Sequence, residues 1–169
     1  IGLQIGLRLD GLSFLFAGLI LFIGLLIVLY AAFYLAPDDS AGKFYCCMML
    51  FMAAMLGVVL SDNLLLLVVF WELTSLSSFL LIGFWSHRGD ARDGARQALA
   101  ITGGGGLAML GGFVLLGQIA GTHEISAMAA RAAAIQADQR FVPALLLILL
   151  GAFTKSAQFP FHFWLPDAM

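Results

Sequence analysis

Residues 11–36 run GLSFLFAGLILFIGLLIVLYAAFYLA without a charged side chain. As a helix such a stretch reaches roughly 39 Å, longer than the ~30 Å hydrocarbon core of a bilayer. Lipid offers no partner to backbone N–H and C=O groups, so only structures that satisfy them internally can cross it, and for a single apolar segment that structure is a helix. The remainder of the chain repeats the pattern. Gly11–Ala36, Phe44–Leu60, Asn63–Trp85, Gln97–Thr122 and Phe141–Leu165 read as five membrane spans, the last interrupted by Lys155 and Pro160. Composition points the same way. The chain is 62% hydrophobic and 11% charged, with a mean hydropathy of +1.03, where a soluble domain has about half and about a quarter. The fold class is therefore an all-α integral membrane protein with the bilayer as its solvent. A net charge of −2 gives nucleic acid no basic face to bind. The chain opens on Ile1 without a basic-then-apolar signal region and closes inside a motif, so a piece of a longer polypeptide is expected.

Most connections are short: PDDSAGK, then SD, then SHRGDARDGAR. Only the stretch 123–140, HEISAMAARAAAIQADQR, is long, and it sets Ile125, Met128, Ala132 and Ile135 at helical spacing. It reads either as an extramembrane amphipathic helix at the bilayer surface or as an ordered loop. Arg88, Arg92 and Arg96 cluster between the third and fourth spans, which by the positive-inside rule places that connection in the cytoplasm of a cell, bacterial by expectation, whose inner membrane holds the chain. Cys46 and Cys47 are adjacent within an apolar run, a spacing that suits neither a disulfide framework nor a metal site, and read as packing residues.

From Phe44 to Ser86 the only charged residues are Asp62 and Glu72. Asp62 has a structural account, since Ser-Asp-Asn before a span is turn and N-cap chemistry. Glu72 has none. It lies nine residues into its span, about 13 Å deep at 1.5 Å per residue. Lys155, fourteen residues past Phe141, lies at a similar depth in another span. A charge at the bilayer centre costs roughly 2.5–3.5 kcal/mol on insertion scales. An acid and a base at matching depth on separate spans argue for a pair. Buried pairs add little stability, but a carboxylate holds a neighbouring ammonium protonated, and desolvation favours the neutral amine once that carboxylate is withdrawn. The alternatives are a proton-handling pair and a fixed ion pair that locks two helices.

The surroundings bear on this choice. Ser75 lies three residues beyond Glu72 and shares its helix face, and Thr74, Ser77 and Ser78 follow nearby. These hydroxyls either hold water near the carboxylate or glue helices together. Pro160 cannot continue a helix and frees a carbonyl at Ser156, which predicts a break or kink between Ser156 and Pro160 and a polar neighbourhood for Lys155. His162, seven residues past Lys155, either extends a proton path or packs as a hydrogen-bonded histidine. Gly103–Gly106 permit close helix packing, and no Gly-Lys-Ser/Thr follows to make a phosphate loop. Haem is disfavoured because His162 alone lies within a span, and no cofactor is expected.

The stretches FWELTSLSSFLLIGFW and GAFTKSAQFPFHFWLPDAM, with GARQALAIT and the opening GLRLDGLSFLFAGLI, resemble the antiporter-like membrane subunits. That family joins the large proton-pumping subunits of respiratory NADH:quinone oxidoreductase to the Mrp-type multisubunit Na+/H+ antiporters, and the WELTS and TKSAQFPFHFWLPDAM forms are most similar to the large A-type subunits of the Mrp antiporters. The resemblance implies a larger inverted-repeat fold with discontinuous helices, of which this chain holds the third to sixth helices and the first part of the broken seventh. Glu72 then matches the family's fifth-helix glutamate and Lys155 its seventh-helix lysine. It further implies other subunits as partners, Na+ and H+ as substrates at a sodium site this chain does not locate, and a transporter subunit rather than an enzyme. Ser75, His162 and Asp62 are candidates for the proton path. The competing expectation is a redox-driven pump module of the respiratory complex; the sequence around Glu72 favours the antiporter.

Overall fold

The computed structural model describes residues 4–168, whose regular elements are all helices, with two isolated backbone bridges and no longer strand. Four helices are long and apolar enough to cross a membrane: α1 (Gly11–Tyr34), α2 (Ala41–Leu60), α3 (Leu64–Ile82) and α4 (Gly89–Ala120). Two short helices follow, α5 (Ile125–Ala129) and α6 (Ala132–Ala137). Next come α7 (Phe141–Lys155), a 3₁₀ turn at Phe161–Phe163 and α8 (Trp164–Asp167). The helices pack in a row, α1 on α2, α2 on α3, α3 on α4, and α4 on α7, so α4 packs against both helices that carry Glu72 and Lys155. The outermost helix, α1, leaves Leu15, Phe22, Leu29 and Phe33 exposed, as a lipid-facing helix does.

The helix starts are set by side-chain caps. Asp10 accepts from the Ser13 amide at 2.8 Å, and Asn63 accepts from Leu65 and Leu66 at 3.0 and 3.2 Å. Asn63 rather than Asp62 thus closes the turn into α3. Between α2 and α3 the backbone is sandwiched: Asp62 donates to Gly6 and Arg8 to Leu60 on one side, while Leu64 donates to His123 and Ile125 to Asp62 on the other. Three segments far apart in sequence thereby satisfy one another's amides at one end of the bundle, and the start of α3 is fixed in depth.

Two elements differ from the sequence reading in physically informative ways. α4 begins at Gly89 and spans 32 residues, about 48 Å, so the arginine-rich connection is mostly helix. Asp90 sits in its first turn and Arg88 pairs with it at 2.6 Å, which suits the positive end of the helix dipole. The 123–140 stretch forms two short helices rather than one, with Met128 and Ile135 buried against the core that α3 and α4 share and Ala132 exposed. Arg131 lies at the junction and donates to the Ala120 carbonyl at 2.6 Å, closing the end of α4 where Gly121 turns left-handed.

α7 is only 15 residues long, about 22 Å, and stops at Lys155. The expected break is present, but its cause lies upstream of Pro160. Ala157 adopts φ 51°, Gln158 donates to Phe153 at 3.0 Å and Ala157 to Thr154 at 3.4 Å. This is the Schellman ending of a helix, with alanine at the left-handed position that glycine usually fills. Pro160 sits beyond it in the following turn. Trp164 donates its indole N–H to the Thr154 carbonyl at 3.0 Å and folds the chain back onto α7. Substituting Ala157→Gly removes the Cβ penalty and is expected to raise stability by about 1 kcal/mol, read as a higher unfolding temperature of the assembled protein.

Candidate functional site

The site forms where α3, α4 and the end of α7 meet. α3 contributes Trp71, Glu72 and a fully buried hydroxyl set, Thr74, Ser75 and Ser77. These hydroxyls turn mostly onto their own helix. Thr74 donates to the Trp71 carbonyl at 2.6 Å, Ser77 to Leu73 at 2.7 Å, and Ser75 to Trp71 at 3.4 Å. Ser75 alone among them also reaches across the bundle, where its Oγ accepts from Lys155 Nζ at 2.9 Å. The same ammonium lies 5.9 Å from the centre of the Trp71 ring, in cation–π range. Lys155 is the last residue of α7, so the helix ending places it at the negative end of that helix's dipole.

Glu72 is held differently. Its carboxylate packs against the glycine run of α4. A Cβ at Gly106 would collide with Glu72 Oε1, and one at Gly103 would lie 3.9 Å from Oε2. At the adjacent position of the same run, a Cβ at Gly105 would strike Thr154, the neighbour of Lys155. Gly103, Gly105 and Gly106 therefore form a slot in α4 against which α3 and α7 pack closely, while Gly104 faces neither. Oε1 of Glu72 is buried, and so is the indole nitrogen of Trp71; neither has a hydrogen-bond partner among the described residues. Glu72 and Lys155 both border this run, the acid against Gly106 and the base one residue from the Thr154 that meets Gly105. They do not touch: the ion pairs within 4.0 Å among the described residues all lie elsewhere, between Arg8 and Asp10 or Asp62, Arg88 and Asp90, Arg96 and Asp93, and Arg140 and Asp138.

The other sequence candidates sit apart from this cluster. Asp62 accepts from the Ser126 amide at 3.0 Å and its hydroxyl at 2.6 Å, so it fastens the start of α5 to the α2–α3 turn. His162 is exposed and stacks on Phe159 with ring centres 5.8 Å apart. Trp71 lies in the WELTS form and Gly106 in the glycine run that the sequence offered, but the sequence did not place them, or Thr154, in the site. An apolar aromatic, a threonine and one glycine of four carry no local pattern that marks them as neighbours of the two charges. Cys47 is buried and Cys46 exposed, both as free thiols. Among the described residues no group of His, Cys, Asp and Glu gathers closely enough to hold a metal ion.

Comparison with known proteins places this arrangement. Residues 61–169 match the family model described as NADH:quinone oxidoreductase/Mrp antiporter, TM, and residues 1–45 match that of NADH-ubiquinone oxidoreductase (complex I), chain 5 N-terminus. The A/B subunit of a probable K(+)/H(+) antiporter from Rhizobium meliloti is 56% identical over 100% of this chain and 17% of its own length. The A-type subunit of the Na(+)/H(+) antiporter from Alkalihalophilus pseudofirmus is 54% identical over 100% of this chain and 21% of its own. The solved Mrp complex from Dietzia sp. DQ12-45-1b superposes with a TM-score of 0.90 at 38% identity, covering 99% of this chain and 18% of that one. The chain thus spans about a fifth of the length of these relatives. Its helices, its matched motifs and these identities make it a multi-pass membrane protein that belongs to the NADH:quinone oxidoreductase/Mrp antiporter transmembrane family.

Proposed function

We propose that this chain is part of the A-type subunit of a multisubunit monovalent cation/proton antiporter, and that Glu72 and Lys155 handle the proton. The observation that carries the reading is the resting place of Lys155. A fixed ion pair would bring ammonium and carboxylate into contact, because two uncompensated charges inside a membrane are costly. Here the ammonium rests on Ser75 Oγ at 2.9 Å while the carboxylate, three residues away on α3, lies in the glycine slot out of contact with it. Such a pair changes its proton affinity when either partner moves. The chain supplies one part of the pathway; further helices and other subunits supply the rest. Glu72 also lines an apolar groove of about 550 Å³ with Leu65, Val68, Val69, Leu73, Leu76 and Leu110, a face suited to a neighbouring helix or to lipid.

Sodium is the proposed counter-ion, on the strength of the Alkalihalophilus pseudofirmus relative, which is named for Na(+). A potassium exchanger is the second reading, because the Rhizobium meliloti relative is named for K(+). Vesicles holding the whole complex, given a proton gradient and either cation, separate the two. Sodium-dependent proton movement in excess of potassium-dependent movement is expected, and flux with neither cation would remove the antiporter reading.

Orientation is also proposed, with the start of α4 in the cytoplasm. Cysteines introduced at Arg92 or Arg96 should resist an impermeant thiol reagent added to intact cells and react after the membrane is opened. Rapid labelling from outside would reverse the assignment.

A further inference from the structure

We infer that Trp71 and Ser75 form an uncharged seat for the Lys155 ammonium, one of two positions between which that side chain moves, the other being contact with Glu72. The inference rests on the proton-handling reading above. Ser75 is fully buried, and its hydroxyl donates to the Trp71 carbonyl at 3.4 Å, which leaves an oxygen lone pair for the ammonium at 2.9 Å. The Trp71 ring supplies the other wall, 5.9 Å from Nζ. One residue therefore holds the lysine twice, directly through its ring and indirectly through its carbonyl and Ser75.

Ser75 and Glu72 are three residues apart on α3, so their side chains are neighbours separated by about 5–6 Å on one face. A lysine stem spans that distance by rotation alone, without movement of α7. The two positions are energetically comparable in kind. A contact ion pair in a dry site loses most of its attraction to desolvation, whereas the seated ammonium keeps a charge-assisted hydrogen bond and an aromatic wall, and the buried carboxyl beside it sheds its own desolvation cost by taking up a proton. Seated, the ammonium leaves Glu72 free to take up a proton. In contact, it holds the carboxylate ionised. The seat thus sets how readily the pair opens.

The test uses the full-length antiporter complex in vesicles, with assembly checked by co-purification and flux measured against proton concentration. In Ser75→Ala and in Trp71→Leu the ammonium loses its seat and settles on Glu72. Maximal flux is expected to fall about tenfold, the worth of a hydrogen bond to a charged group, and the half-saturating proton concentration is expected to shift with it. Trp71→Phe keeps a weaker aromatic wall and removes an indole N–H that has no partner among the described residues, so it should lose clearly less flux than Trp71→Leu. If Trp71→Phe and Trp71→Leu lose flux alike, or if Ser75→Ala lowers flux at an unchanged half-saturating concentration, the residues serve packing and the seat is overturned. Glu72→Gln distinguishes the two levels of the proposal: normal flux in that variant would remove the proton-handling pair itself, whatever the seat variants show.

Discussion

Replacing Glu72 by alanine in the full-length complex is expected to lower cation-driven proton flux by about a hundredfold or more, the range for a positioned proton-transfer group, while the complex still assembles. Lys155→Ala should do the same. The double variant is the deciding measurement. If the two residues only lock α3 to α7, each single substitution strands one buried charge at a cost of about 3–5 kcal/mol, and removing both should restore assembly and flux together. If they handle the proton, the double variant assembles and remains inactive. Normal flux from the double variant would sink the proposed function. The proposed reading expects the single variants to assemble, because Lys155 is supported by Ser75, Trp71 and the end of α7 rather than by contact with Glu72. Losing the carboxylate leaves those supports in place.

The second large effect concerns the glycines at which α4 meets α3 and α7. Gly151→Ala is expected to destabilise the α4–α7 contact by about 1–3 kcal/mol, the usual cost of overpacking. Its new Cβ would lie 2.7 Å from the Gly105 carbonyl oxygen and 2.7 Å from Met109 Cβ, and backbone cannot swing aside. Poor assembly or a lowered unfolding temperature should follow. Gly106→Ala differs in kind. Its Cβ would meet the far end of the Glu72 side chain, which can rotate away, so assembly should survive while the carboxylate leaves its position and flux falls. Gly104→Ala is the control: nothing lies within 4 Å of its Cβ, and the substitution should be neutral in both assays. Equal behaviour of Gly104→Ala and Gly106→Ala would show that the slot does not position Glu72.

The apolar helices were legible in the sequence because crossing a bilayer is a demand on composition and length, and both are local properties. The break after Lys155 was legible too, although the sequence pointed to Pro160 while the structure ends the helix at the left-handed Ala157. A Schellman ending is hard to foresee when its position lacks glycine. The helix α4 starts at Gly89, eight residues before the span read from Gln97, because the charged residues between them still make good helix. That Glu72 and Lys155 are the charges set inside apolar segments is likewise a fact of sequence.

What stands around them is decided by tertiary structure. Asp62 meets Ser126 across 64 positions and Lys155 meets Ser75 across 80, and no periodicity links residues so far apart. A glycine announces only that a Cβ is missing. Which glycine faces Glu72, which faces Thr154 and which faces nothing depends on how α3 and α7 pack against α4. The sequence by itself determined that this chain lives in a membrane and carries an acid and a base within it. The packing of α3 and α7 onto one run of α4, which brings Lys155 to Ser75 beside Glu72 without contact between the two charges, arises only when the helices meet, because backbone close approach is a property of pairs of helices rather than of either segment alone.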